Sequence, residues 1–283
     1  MNILSGTSHV LATSAEAVIE SLLDRIQIDI SAAVEVALCG RWFEQEPAGD
    51  RAQFHLVIEG QCWVQLAGME SSLRLLAGDL VLFPTGARHT LASQPTDESD
   101  APIAAEVVML CGELSFADSK ASAPLLSLLP SIMVIRAHES GEVVGHLGAA
   151  LRETIATGQH RRQAIQRRMA QSLFAIVVCD FVTRHPEQAG PLGALVLDAR
   201  LSRVLSAIHA EPGRDWSLES MAQQAGLSRS AFAHLFTERM GVSPIAYLTR
   251  LRANEAQRLL AQGRLSVAAI GDMLGYRSEA AFR

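Results

Sequence analysis

No run of apolar residues in this 283-residue chain reaches the roughly 18–20 that a membrane span needs. The longest candidate, SLFAIVVCDFV, is too short and carries Asp180. The opening residues MNILSGTSHVLATSAEAV hold no basic segment followed by an apolar core, so no signal peptide is expected. Cysteine is scarce: Cys39, Cys62, Cys111 and Cys179 lie far apart, with no C-x-x-C pair. That spacing argues against a zinc ribbon or a disulfide framework and for a reduced, cytoplasmic protein with buried thiols. A phosphate-cradling glycine loop and a nucleophile elbow are absent too. No catalytic residue, cofactor or metal is assigned.

What is present fits a globular chain long enough for two domains, 49% hydrophobic and 19% charged. The formal charge of −6 conceals an asymmetry. From Asp198 onward eleven arginines face eight carboxylates, a formal +3, which leaves −9 on the remainder. Charges act within a screening length of about 8–10 Å, so the local sign decides whether a polyanion is attracted. The C-terminal third permits nucleic-acid binding.

Five segments follow one another. Residues 1–31 are taken as an N-terminal helical arm. Residues 32–120 contain short strand-like runs, VEVALCGRWF, AQFHLVIEG, QCWVQLAG, SLRLLAGDLVLFPTG, RHTLAS and AAEVVMLCGELSF, punctuated by glycines, as in a β-barrel or sandwich. Residues 121–184 turn helical. Ile165, Met169, Leu173, Ile176, Val177 and Phe181 fall on one helical stripe, with Arg161, Arg162, Arg167 and Arg168 towards the polar side. The stripe suits either a dimer helix or packing against the barrel. HPEQAGPLG breaks the pattern, making 185–197 a linker, and 198–283 reads as helical throughout.

Within that last zone one unit occurs twice. SLESMAQQAGLSRSAF (217–232) and SVAAIGDMLGYRSEAAF (266–282) each begin with a Ser suited to cap a helix and reach a Gly nine residues later, Gly226 and Gly275. A small residue stands four before each Gly, Ala222 and Gly271, and an apolar one follows, Leu227 and Tyr276. Two helices that cross need a small residue at the contact and a turn residue at positive φ, so the pattern describes a helix-turn-helix. Phe232, Leu235 and Phe236 complete the small core of the first copy.

SPIAYLTRLRANEAQRLLAQG joins the copies. Ser243 caps, Pro244 starts the helix, Gly263 ends it, and Ile245, Leu248, Leu251, Ala256 and Leu259 form its apolar stripe. Residues 244–262 would span about 28 Å at ~1.5 Å per residue. Neighbouring major-groove faces lie about 34 Å apart. A rod of that order can hold two reading helices on one face of a duplex.

These tandem units, the Ser-Pro-started connecting helix and the junction LFTERMGVSPIAYLTRLR resemble the DNA-binding domain of the AraC/XylS family of bacterial transcription regulators. The resemblance implies that the second helix of each unit enters the major groove, and that the protein activates or represses a promoter with RNA polymerase as partner. Aligned on the first copy, the second is expected to stop inside its reading helix, so the chain is expected to be C-terminally truncated. By the same resemblance Arg229, Ser230, Ala233, His234 and Thr237 face double-stranded DNA in the first copy. Arg277, Glu279, Ala280 and Arg283 do so in the second. Ser228 and Ser278 are read as helix caps whose following N–H groups meet a phosphate. Arg229, Ser230 and His234 can hydrogen-bond base edges or phosphates, while Glu279 would repel phosphate.

GDLVLFPTGARH (78–89) fits the second cupin motif through Gly78, Pro84, Gly86 and His89, and FHLVIEGQCWVQL resembles the hairpin before it. The resemblance implies a cupin-type sensor barrel for a small effector, with His55, His89, Cys62 and Glu59 as candidate ligand contacts. The fold expected is thus α+β and multidomain, a cupin-like barrel, then helices, then the all-α tandem domain, in a homodimer without membrane contact. The alternative is a metal-dependent cupin enzyme, an oxygenase or isomerase. Against it, the first motif has Gln53 where cupin enzymes place the first His of H-x-H.

Overall fold

A computed structural model describes residues 19, 23, 28–95, 106–116, 126, 128–139, 142–156, 163–263 and 265–276. The chain divides into two compact units, one of residues 27–118 and 130–184, the other carried mainly by 185–283.

The first unit is built from nine strands, β1 (Ile28–Leu38), β2 (Phe43–Glu46), β3 (Ala52–Glu59), β4 (Gln61–Leu66), β5 (Leu73–Leu76), β6 (Leu80–Phe83), β7 (His89–Ala92), β8 (Val107–Phe116) and β9 (Met133–Ile135). They form two antiparallel sheets, in the orders β1-β8-β3-β6-β9 and β2-β7-β4-β5. Between the sheets Val57, Cys62, Val64, Leu75, Val81, Phe83, Leu91, Val107 and Met109 make one buried cluster. Alternation along the strands places them, since every second side chain of a strand faces inward. Helices α1 (Val143–Ala156) and α2 (Gln163–Arg184) complete the unit.

Several sequence expectations shift here. Residues 28–31, assigned to a helical arm, open β1 instead, paired with β8. VEVALCGRWF divides between β1 and β2, and SLRLLAGDLVLFPTG between β5 and β6. Residues 133–135 lie in the zone expected to be helical but form an edge strand on β6. A three-residue strand is too short to show a period of two. The stripe assigned to α2 also splits. Leu173, Val177 and Phe181 are buried, whereas Ile165 is 49% exposed and Met169 and Ile176 are half-buried on a neighbouring face. Arg167 pairs with Asp29 and Arg168 is exposed, while Arg161 and Arg162 lie outside the described residues.

The second unit is helical: α3 (Gly190–Leu197), α4 (Ala199–Ala210), α5 (Leu218–Ala225), α6 (Arg229–Met240), α7 (Pro244–Gln262) and α8 (Val267–Met273). The expected linker 185–197 therefore holds a helix, which packs on α4 and α6. Pro191 stands in its first turn, where a missing N–H costs nothing, so this proline starts a helix rather than breaking one. Among the described residues no helix is long and apolar enough to cross a membrane.

One buried carboxylate holds the lower rim of the barrel unit. Asp79 is 4% exposed and accepts from the N–H groups of Leu76 at 3.0 Å and Ala137 at 2.9 Å. Arg136 Nη1 adds a third bond at 2.8 Å and also reaches the carbonyl of Arg74 at 2.7 Å. The β5–β6 turn is thereby fastened to the chain leaving β9. Asp79→Ala strands several donors, and the expected loss is about 3 kcal/mol in the unfolding free energy, read from urea denaturation.

Candidate nucleic-acid interface and barrel site

The two repeated units close their first helices identically. In the first, Ser217 and Ser220 form a reciprocal cap at the start of α5. At its end Gly226, at φ 69°, donates to Gln223 O (3.0 Å) while Leu227 N donates to Ala222 O (3.0 Å). In the second, Ser266 caps α8. Gly275, at φ 74°, donates to Asp272 O (3.1 Å) while Tyr276 N donates to Gly271 O (2.9 Å). This crossed pair of bonds satisfies the last carbonyls of each helix and needs a left-handed residue, which only glycine adopts without strain. Ala222 and Gly271 are buried, as the crossing contact requires.

Helix α6 presents the candidate reading face. Ser228 caps it, accepting from Ala231 N at 3.3 Å. Phe232, Phe236 and Met240 are buried and fix its rotation, with Leu235 half-buried. Arg229, Ser230, His234 and Thr237 are exposed as expected, whereas Ala233 is half-buried because it lies beside Phe232 and Phe236 on the wall of the core. Glu238, which sequence reasoning overlooked, sits one turn beyond His234, 3.9 Å from its Nδ1. The spacing of four residues was the available signal. Arg277, Ser278, Glu279, Ala280 and Arg283, together with the expected truncation, lie outside the described residues.

The connecting helix α7 is capped by Ser243, closed by Gly263, and buries Leu248, Leu251, Ala256 and Leu259. Ile245, expected on that stripe, is 44% exposed. Pro244, Tyr247 and Leu248 take the inward positions of the first turn, and Tyr247 Oη meets His209 Nε2 at 2.8 Å. Ala256 and Leu259 pack with Ile270 and Leu274 of α8.

A feature the sequence did not announce sets the two helix-turn-helix repeats against each other. Arg252 of α7 donates from Nε to Pro212 O (2.8 Å) and from Nη2 to Arg214 O (2.8 Å). The loop so held, between α4 and α5, presses on the end of α8. A Cβ on Gly213 would stand 1.9 Å from Met273 O, and one on Gly275 would stand 2.3 Å from Gly213 O. Trp216 Nε1 bonds Glu211 O at 2.8 Å and closes the loop. Arg252 is thus occupied inside the fold, although in the sequence it counts among the arginines available to phosphate.

In the barrel, His55 and His89 reach across from opposite sheets, Nε2 to Nε2, at 2.9 Å. His89 Nδ1 donates to Ala87 O at 2.8 Å, so its Nε2 carries the lone pair and His55 Nε2–H is the donor. Phe83 stacks on His89 with ring centroids 3.6 Å apart. Burial, and then the neighbouring imidazole, push His55 down to about 3, and burial lowers His89 as well. Cys62 lies buried in the core, its Sγ 3.7 Å from Met109 Sδ, and burial pushes its thiol up to about 12. Glu59 is exposed at the end of β3 and does not join the pair, because the shift in β3–β8 register between Val57 and Glu59 carries it outward.

A cupin metal would fit poorly. The two nitrogens it would require are bonded to each other, and Gln53 gives its amide to Glu46. Among the described residues no three His, Cys, Asp or Glu side chains converge to hold an ion.

Two tests follow from this geometry. Gly213→Ala forces α8 off its seat, with an expected cost of about 2 kcal/mol and faster amide exchange at Ile270 and Leu274. For His55, the unfolded chain takes up a proton below about pH 6.5 that the folded barrel refuses until about pH 3, and burial of His89 acts in the same direction. The stability from keeping His55 neutral is complete above that window and is lost as pH falls through it. The expected slope is up to about 1.4 kcal/mol per pH unit for each histidine. Urea midpoints between pH 6.5 and 5 measure it, and His55→Gln reduces the slope.

The cupin family profile matches residues 17–179, and a helix-turn-helix domain profile matches 221–283. An uncharacterized HTH-type transcriptional regulator of Haemophilus influenzae is 26% identical, covering 86% of this chain and 85% of its own. The HTH-type transcriptional regulator AlkR of Acinetobacter baylyi is 28% identical over 93% of both chains. A putative AraC-like transcription regulator of Streptomyces lividans is also 28% identical, over 93% of this chain and 91% of its own. With both domains matched and the duplicated corner in place, the chain belongs to the AraC-like transcriptional regulators that carry an N-terminal cupin domain.

Proposed function

We propose that the protein reads double-stranded DNA through α6, with Arg229, Ser230, His234 and Thr237 on base edges or phosphates and Ala233 at the margin of the contact. The N–H groups after Ser228 meet a phosphate, and Arg277, Ser278, Glu279, Ala280 and Arg283 serve the second unit. The observation that carries this reading is the pair of identical corners braced by Arg252, which leaves the polar side of α6 facing outward.

The barrel, taken as 32–120, is the sensor for a small effector, and 198–283 the DNA-binding region. An effector that favours one state of the chain shifts DNA affinity by its difference in affinity for the two states. Support for a ligand contact lies at His55 and His89, with Cys62 in the wall behind them. Glu59 is too exposed to share that site. A regulator acting in the cytoplasm with RNA polymerase, and without an enzymatic step, fits the occupied histidine nitrogens better than a metal-dependent cupin enzyme does.

Homodimerisation falls to the outer face of α2, where Ile165, Met169 and Ile176 recur at helical spacing beside the buried stripe. Ile165→Glu together with Ile176→Glu is expected to convert dimer to monomer in equilibrium sedimentation. A wild-type chain that is already monomeric at micromolar concentration would remove the dimer from this account.

For DNA, genomic binding profiles supply the operator, and fluorescence anisotropy the affinities. Arg229→Ala and His234→Ala are each expected to weaken specific binding by about 1–3 kcal/mol, and Arg229→Ala to reduce the salt slope by about 1 if it meets phosphate. Unchanged operator affinity in both variants would overturn the assignment of α6 as the reading helix.

A further inference from the structure

One end of the barrel interior carries more hydrogen-bond acceptors than its own donors satisfy. Residues directly opposite in a ladder, and alternate residues along a strand, share a face of the sheet. On β3, Gln53 and His55 share the inward face with Val57, and His55 stands opposite Val81 and Cys111. On the other sheet His89 stands opposite Glu46 and Leu66. The bond between the two imidazoles joins these faces across the interior. Glu46, Gln53, His55, His89 and Cys111 are thereby gathered at one end, with Val57, Leu91 and Met109 further along the same faces. Burial and the charge of Glu46 both hold the Cys111 thiol up, at about 12.

The donor count is determined by tautomers. Because His89 Nδ1 donates to a carbonyl and its Nε2 receives the His55 proton, His55 Nδ1 is left with a lone pair. That atom is buried without a partner, in a side chain that is itself 4% exposed. Gln53 turns its Nε2 to Glu46 Oε2 at 3.4 Å, and its Oε1 is also buried without a partner. Glu46 is half-buried, and among the described residues no cationic side chain pairs with it. Three acceptors, one of them a carboxylate that takes only the Gln53 amide at 3.4 Å, face a single weak donor, the Cys111 S–H. The orphaned donor Trp42 Nε1 lies four residues back along the chain from Glu46, opposite Ser93 rather than His89.

An ammonium group answers this set, since it brings several N–H donors and one positive charge. A hydroxyl brings one donor and no charge, and a carboxylate would confront Glu46 with a like charge. Resting on the reading of the barrel as the effector domain, we propose that the effector is a protonated primary amine with an apolar body. Its ammonium sits among Glu46, Gln53 and His55.

The test titrates the full chain with n-octylamine, 1-octanol and octanoate, each below its micellar concentration, by calorimetry, with amide exchange on β3 and β7 as the locator. The expected result is n-octylamine binding at least tenfold tighter than 1-octanol, no saturable heat from octanoate, and protection on those two strands. Glu46→Gln, whose folding is checked by its melting curve, should weaken the amine at least tenfold and leave the alcohol unchanged. An alcohol or acid that binds the barrel as tightly as the amine overturns the amine class and leaves the effector reading standing, as does amine affinity indifferent to Glu46→Gln. Absence of binding by all three probes overturns the amine class too. If fractions of a metabolite extract then change neither barrel exchange nor DNA affinity, the effector reading falls with it.

Discussion

The arrangement of the C-terminal unit depends on one guanidinium and two carbonyls. Arg252 reaches the carbonyls on either side of Gly213, and the glycine between them lies against the end of α8. A planar fork suits two carbonyls two residues apart, whereas the single charged nitrogen of a lysine would have to choose between them. With the loop held, the close approach of Gly213 to both Met273 O and Gly275 becomes tolerable, because no Cβ intervenes. A rod alone would fix only the distance between two corners. The loop and the arginine fix their rotation about it, and rotation decides whether two reading helices address one face of a duplex.

A comparable constraint operates in the barrel, where two sheets meet over a neutral imidazole pair. A hydrogen bond between imidazoles demands one donor and one acceptor, so the bond His89 makes to Ala87 O dictates the state of His55. Stacking of Phe83 on His89 holds that ring in place. The same geometry leaves the His55 Nδ1 lone pair buried without a partner. In this cupin unit the two histidines bond to each other and Gln53, two residues before His55, bonds to Glu46.

Features set by a residue's own backbone were legible in the sequence. Gly226 and Gly275 could be placed because a helix corner needs positive φ, and the serine caps because a helix start needs an acceptor. Phe232 and Phe236 could be assigned to the core from spacing alone. Features set by a partner distant in the chain were not. Ile245 follows the helical period but loses its inward place to Pro244 and Tyr247, the latter bonded to His209 on another helix. Glu59 belongs to the strand that holds His55, yet a register shift turns it outward, while Glu46, invisible as a candidate, is brought in by the pairing of β2 with β7. Pro191 was read as a breaker because its effect depends on whether it falls inside a helix or at its start.

The shortness of the repeated helices gives the brace its wider importance. Helix α5 has eight residues and α8 seven, well below the roughly 12–15 at which an isolated helix holds in water. Neither would hold as a helix by propensity alone. Each survives because both ends are satisfied locally and one face is buried, α8 against Ala256 and Leu259 of the long helix and against the loop at Gly213. Loosening the loop therefore removes part of the surface that keeps α8 helical, besides misaligning it. Order and orientation of the second corner are for that reason a single property, held by contacts from the loop at Gly213 and from α7.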